Sequence, residues 1–127
     1  YRRQRQMCIR DRNTGAHYRK IWGTYHPYFL ILCDDKRVGA LRVVRIDEAS
    51  CRIAPVFIIP QYQKKGIAQK VFALLEQEYP NVMLWKLDTI LQEKGNCHLY
   101  EKLGYHQTGK IYHKNDVLDI VYYEKVR

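Results

Sequence analysis

The chain is 127 residues long, about the length of one compact domain. With 46% hydrophobic and 13% aromatic residues it can bury a core, which excludes an intrinsically disordered chain. No apolar run approaches the roughly 20 residues of a membrane-spanning helix. The net charge of +9 invites a nucleic-acid reading, but +4 of it sits in residues 1–12, which hold five arginines and one aspartate. That head shows neither helical nor strand period and is read as a non-native or disordered basic arm outside a domain spanning 13–127. Cys8, Cys33, Cys51 and Cys97 are far apart with no Cys-x-x-Cys. Their spacing argues against a zinc knuckle or a disulfide scaffold and for reduced thiols in a cytoplasm.

Regular patterning begins at Tyr25. Residues 28–33 are a continuous apolar, β-favouring run, closed by the polar turn 34–37. Residues 38–46 run back as the second arm of a hairpin, with Arg42 and Arg45 marking partial exposure. Residues 51–59 read as a third strand in spite of Pro55, which lacks an N–H and marks an irregularity or an unpaired edge. After Pro60 the period changes: apolar residues at 67, 68, 71, 72, 74, 75 and 79 predict an amphipathic helix over 66–79, stopped by Pro80. Residues 82–87 are strand-like again, so strand, helix and strand should close as a right-handed crossover between parallel neighbours. A shorter helix is predicted over 93–103 with Gly104 as its left-handed cap. Residues 105–112 and 117–123, parted by 113–116, form a last hairpin. The expected fold is a single α/β domain with a mixed, mostly antiparallel central sheet and flanking helices.

Binding chemistry concentrates at the strand-to-helix junction Gln63-Lys64-Lys65-Gly66-Ile67-Ala68. A helix start exposes unpaired backbone N–H groups and the positive end of the macrodipole, so it attracts anions. Gly66 and the small Ala68 let a phosphate approach the backbone, while Lys64 and Lys65 add fixed positive charge. The alternative is that Gly66 only makes a tight turn and the lysines are a solvated face. Neither Gly-x-x-x-x-Gly-Lys-Ser/Thr nor Gly-x-Gly-x-x-Gly is present. A second constellation runs from Asn96 to Tyr105, Asn-Cys-His-Leu-Tyr-Glu-Lys-Leu-Gly-Tyr. Taken alone, its Leu99, Tyr100 and Leu103 are an apolar stripe. Cys97 and His98, adjacent on a helix, point about 100° apart and do not easily share a proton. Cys51, Cys97, His98 and His113 have no metal-ligand spacing, and no metal is expected.

In their order the two constellations resemble the GNAT superfamily of acetyl-CoA-dependent N-acyltransferases. There the pattern Gln/Arg-x-x-Gly-x-Gly/Ala cradles the CoA pyrophosphate, and Gln63, Gly66 and Ala68 match it. Leu87-Asp88-Thr89 and Tyr100-Glu-Lys-Leu-Gly-Tyr105 are similar to one subset of the family. The resemblance implies acetyl-CoA held along Gln63, Lys64, Lys65, Gly66, Ile67 and Ala68, with Asn96 also on the cofactor. It implies backbone N–H groups around Phe57 and Ile58 that polarise the thioester carbonyl, and Tyr100 as the acid that protonates the leaving thiolate, a phenol that keeps its proton at neutral pH. The implied reaction moves an acetyl group to an amine of a small molecule or peptide, in a cytoplasmic monomer or homodimer without membrane or nucleic-acid partners. Asp47, Glu48 and His98 are all candidates for the general base. The family's first strand and two helices find too few residues before Tyr28, so the front is expected to be truncated. A noncatalytic acyl-CoA-binding domain and a basic nucleic-acid-binding module are the alternatives.

Overall fold

The computed structural model describes residues 8–10 and 16–127. Eight strands form one sheet in the order β1-β2-β3-β4-β5-β6-β8-β7. They are β1 Cys8–Arg10, β2 Ala16–Trp22, β3 Tyr28–Cys33, β4 Lys36–Arg45, β5 Ser50–Ile58, β6 Leu84–Ile90, β7 His106–His113 and β8 Asp119–Val126. Helix α1 spans Ile67–Glu78 and helix α2 spans Lys94–Lys102. β5 and β6 run parallel and the other neighbouring strands antiparallel, so the mixed, mostly antiparallel sheet and its one crossover stand as expected.

The front differs from the sequence reading. Residues 8–10 of the basic head form a strand against β2, while the rest of the head lies outside the described residues. β2 itself went unread because Arg19 and Lys20 mask its alternation, although Ala16 and Tyr18 are buried. A bend over residues 23–27 leads straight from β2 into β3, with no helix between them. The next turn is tighter than its polar run suggests. Asp34 and Asp35 both take positive φ, 52° and 68°, as a two-residue hairpin requires, so β4 already starts at Lys36.

Alternation along the strands gives the sheet two unlike faces. Phe29, Leu41, Val43, Cys51, Ile53, Trp85, Leu87, Val121 and Tyr123 share one buried cluster with Ile67, Val71, Phe72 and Leu75 of α1 and Cys97 and Tyr100 of α2. Both helices therefore lie on that face. Each fully buried side chain of α1 is worth about 1.5–3 kcal/mol, far more than its helix propensity. Two cations tie α1 down: Lys125 of β8 reaches Glu76 at 2.9 Å, and Arg127 donates to the Glu76 and Tyr79 carbonyl oxygens at 2.9 and 3.2 Å at the negative end of the helix. The opposite face is half-exposed and polar. It carries Arg42 on the Tyr28 hydroxyl, the Arg52–Asp88 ion pair, Lys86 on Glu124 at 3.6 Å, and Lys110 over the Tyr122 ring.

Gly39 of β4 lies opposite Ile58 of β5. A Cβ there would stand 2.2 Å from the Phe57 carbonyl oxygen and 3.1 Å from Ile58 Cα, both backbone atoms. Gly39→Ala must therefore push the end of β5 away. It is expected to cost roughly 1–3 kcal/mol of overpacking, read as a melting temperature lower by roughly 3–10 °C. Gly95→Ala, which meets nothing within 4 Å, should leave melting unchanged or slightly raised.

Candidate functional site

The parallel ladder between β5 and β6 has three rungs, Ser50↔Leu84, Cys51↔Trp85 and Arg52↔Lys86. Beyond Arg52 the strands part, and β5 runs on to Ile58 with β4 alone beside it. Pro55 sits in this stretch, where its missing N–H forfeits no bond to β6. The Ile59 N–H donates to the Val38 carbonyl oxygen at 2.7 Å. Antiparallel alternation then turns the Phe57 N–H toward β4 and the Val56 and Ile58 N–H groups into the gap. Of the two residues expected to offer backbone donors, Ile58 does so and Phe57 does not; Phe57 contributes its exposed side chain.

The gap opens into a cavity of about 420 Å³. Its first wall is the end of β5, with Phe57 and Ile58. Its second is the loop and first turn of α1, with Gln63, Lys64, Gly66, Ile67 and Ala68, and its third is α2, with Asn96 and Tyr100. Lys65 does not line it; its ammonium lies 5.7 Å from the centre of the Tyr62 ring. The Gln63 amide donates to the Ile58 carbonyl oxygen at 2.8 Å and pins the loop to β5.

The chain enters α1 through two left-handed residues, Lys64 at φ 61° and Gly66 at φ 79°. Gly66 is the N-cap, no side chain caps the helix, and no acid stands in its first turn. The first intrahelical bond is Lys70 N–H to Gly66 carbonyl, which leaves the amides of Ile67, Ala68 and Gln69 without a partner in the helix. Only Gln69 Oε1, at 3.9 Å, lies within 4 Å of where a Gly66 Cβ would stand. Uncapped donors, a positive dipole end, Lys64 and open space in front of a glycine are together suited to hold an anion.

Tyr100 is buried between Phe72, Tyr105 and Tyr123, with ring centres 6.1 to 6.4 Å away, and its hydroxyl makes no hydrogen bond among the described residues. Burial, and then the Asp88 charge, push this phenol up to about 12. Gly104, at φ 97°, ends α2 as expected, and the Tyr105 N–H closing on the Tyr100 carbonyl oxygen fixes that turn. Cys97 is buried while His98 is exposed at the cavity wall, so the two do not form a dyad. Asp47 and Glu48 lie in the β4–β5 turn, at the far end of β5 from the gap, and are not positioned as bases there. Asp88 was not among those candidates. It stands on the helix-free face two residues past the last β5–β6 rung, paired with Arg52, and its sequence signal was its place two residues after Lys86 in an alternating strand. No group of three potential metal ligands occurs among the described residues, nor is any of their helices long and apolar enough to cross a membrane.

Inorganic pyrophosphate should shift the amide resonances of Ile67, Ala68 and Gln69, with affinity falling as salt rises. Lys64→Glu should weaken it roughly 3–10-fold, and Lys65→Glu distinctly less. Equal effects of the two substitutions would contradict the geometry of the cradle.

The family model described as the acetyltransferase (GNAT) family matches residues 2–105. An uncharacterized protein of Bacillus subtilis (strain 168), YrkN, is 34% identical over 79 residues, which cover 60% of this chain and 42% of that protein. The chain thus spans less than half of that relative. Among solved structures, a GNAT family acetyltransferase from Elizabethkingia anophelis with acetyl-CoA bound superposes with a TM-score of 0.68 at 14% identity, covering 81% of this chain and 77% of the other. An acetyltransferase from Salmonella typhimurium that modifies the N-terminal serine of a ribosomal protein gives 0.70 at 16% identity, with 81% and 64% covered. With four-fifths of its length inside the family model, this chain belongs to the GNAT acetyltransferase family.

Proposed function

We propose that the chain carries the acetyl-CoA site of an N-acyltransferase that moves an acetyl group to an amine, and that its domain takes in β1 as well as residues 13–127. The observation that carries the reading is the meeting, in one cavity, of an uncapped helix start, a strand edge with open N–H groups and a phenol without a hydrogen bond. The cradle fits a pyrophosphate, because a Cβ at Gly66 would project into open space that only glycine leaves free.

Acetyl-CoA, when bound, supplies the acetyl group activated as a thioester. Lys64 and the amides of Ile67 and Ala68 would hold its pyrophosphate, and Asn96 would bound the cleft from α2. The Ile58 N–H offers a fixed donor for a carbonyl oxygen, worth more in a partly desolvated gap than in water. Tyr100 keeps its proton through the whole physiological range, since its pKa stands at about 12. A thiol, ordinarily near 8.5, is the stronger acid, so the phenol acts by a hydrogen bond that tightens as negative charge builds. On the opposite face, Asp88 is the carboxylate that an amine entering between β5 and β6 meets, and its charge already reaches Tyr100. That placement suits it to orient the amine. The acceptor is an amine of a small molecule or a peptide.

Tyr100→Phe keeps the ring and breaks no hydrogen bond, so melting temperature and CoA affinity should change little while turnover falls roughly 10²-fold. No inflection from Tyr100 should appear in the pH profile below about pH 11. A stably folded Tyr100→Phe protein with full turnover contradicts the assignment. CoA binding without turnover on any amine would favour the noncatalytic alternative.

A further inference from the structure

Arg52 of β5 and Asp88 of β6 form an ion pair across the two strands at the place where these part, on the helix-free face. We infer that this pair selects the acceptor, and that the acceptor is a free α-amino acid held as a zwitterion. The inference rests on the acyl-transfer reading and narrows its amine to one class. Both partners can be reached, since 42% of the Arg52 side chain and 23% of that of Asp88 are exposed. The pair also has bonding capacity to spare. Among the described residues its single hydrogen bond runs from Arg52 Nη2 to Asp88 Oδ2, which leaves Nε and Nη1 of the guanidinium and Oδ1 of the carboxylate without a partner. None of these three atoms is buried.

A zwitterion matches what is left over. Its ammonium and carboxylate sit on one carbon, so the first can donate to Asp88 Oδ1 while the second accepts from the Arg52 fork. A polyamine or a peptide N-terminus brings the ammonium without that carboxylate and leaves the guanidinium unanswered. The surrounding charge points the same way. Arg42, Arg52, Lys86 and Lys110 stand on this face with two carboxylates, Asp88 and Glu124, each already opposed by a cation. Lys110 lies over the ring of Tyr122, the residue opposite Asp88 in the β6–β8 ladder, so a further cation is repelled there and an acid is drawn in. In the reaction the ammonium gives one proton to water and its nitrogen bonds to the thioester carbonyl carbon. The carbon–sulfur bond breaks, and a second nitrogen proton passes to the sulfur.

The common α-amino acids, their amides and spermidine are titrated into the full chain by NMR, read at the Arg52 Nε–H and the Asp88 amide, and then offered as acceptors with acetyl-CoA. At least one amino acid should bind and react roughly tenfold or more better than its amide, with spermidine weaker than both. Arg52→Gln should bring amino acid and amide to within about twofold of each other, through KM rather than kcat, and Arg52→Lys should keep part of the preference. Because the pair is partly exposed, melting temperature should move little in either variant. Amides or spermidine used as well as the amino acids, or an Arg52→Gln protein that loses amino acid and amide alike, would overturn the inference and leave acyl transfer standing. Failure of CoA to bind, with no amine acetylated, would instead remove the proposed function. The titration needs no CoA and then decides alone: if no amino acid shifts the Arg52 Nε–H, the pair does not take a zwitterion.

Discussion

The site depends on a ladder that stops. Two parallel strands joined by a helix would ordinarily stay paired along their length, satisfying backbone groups on both sides. Here β5 and β6 separate after Arg52, and the six remaining residues of β5 keep β4 as their neighbour. The separation leaves backbone donors of β5 facing a gap, makes room for the first turn of α1 at its mouth, and lets a side chain from α2 close the other wall. Gly39 makes this possible from behind. It holds the free half of β5 so close to β4 that no larger residue fits.

The two faces of the sheet divide the labour. The helix-covered face packs an aromatic cluster, Phe72, Tyr100, Tyr105 and Tyr123, which fixes the ring of Tyr100 and raises its pKa by excluding water. The other face holds its charges in pairs at the surface, such as Lys86 with Glu124, both about two-fifths exposed, which contribute little to stability. Their value lies in position. Arg52 and Asp88 bridge the two strands just where these part, so a charged group approaching the gap from this face encounters a prepared carboxylate.

Much of this was legible in the residues. The change from strand to helical period after Pro60 and the αL glycine after Leu103 placed the crossover and the second helix before any coordinates. What could not be read was register. Whether Phe57 or Ile58 faces the gap turns on a single-residue offset in pairing with β4, and alternation inverts every donor when that offset shifts. Lys65 looked equivalent to Lys64, yet only Lys64 lines the cavity, while the Lys65 ammonium lies by the Tyr62 ring. β2 was missed because its charged residues alternate with only two buried ones, Ala16 and Tyr18. Asp88 was read only as part of a motif, since its pairing with Arg52 requires knowing that β5 and β6 are neighbours.

Amide hydrogen exchange with and without CoA tests the central claim most directly, because it reads the backbone groups that the ladder leaves open. The account predicts that CoA slows exchange at Val56 and Ile58 on β5 and at Ile67, Ala68 and Gln69 at the start of α1, while Phe57, already bonded to β4, changes little. Slowing confined to other elements, or equal protection of Phe57 and Ile58, would contradict it.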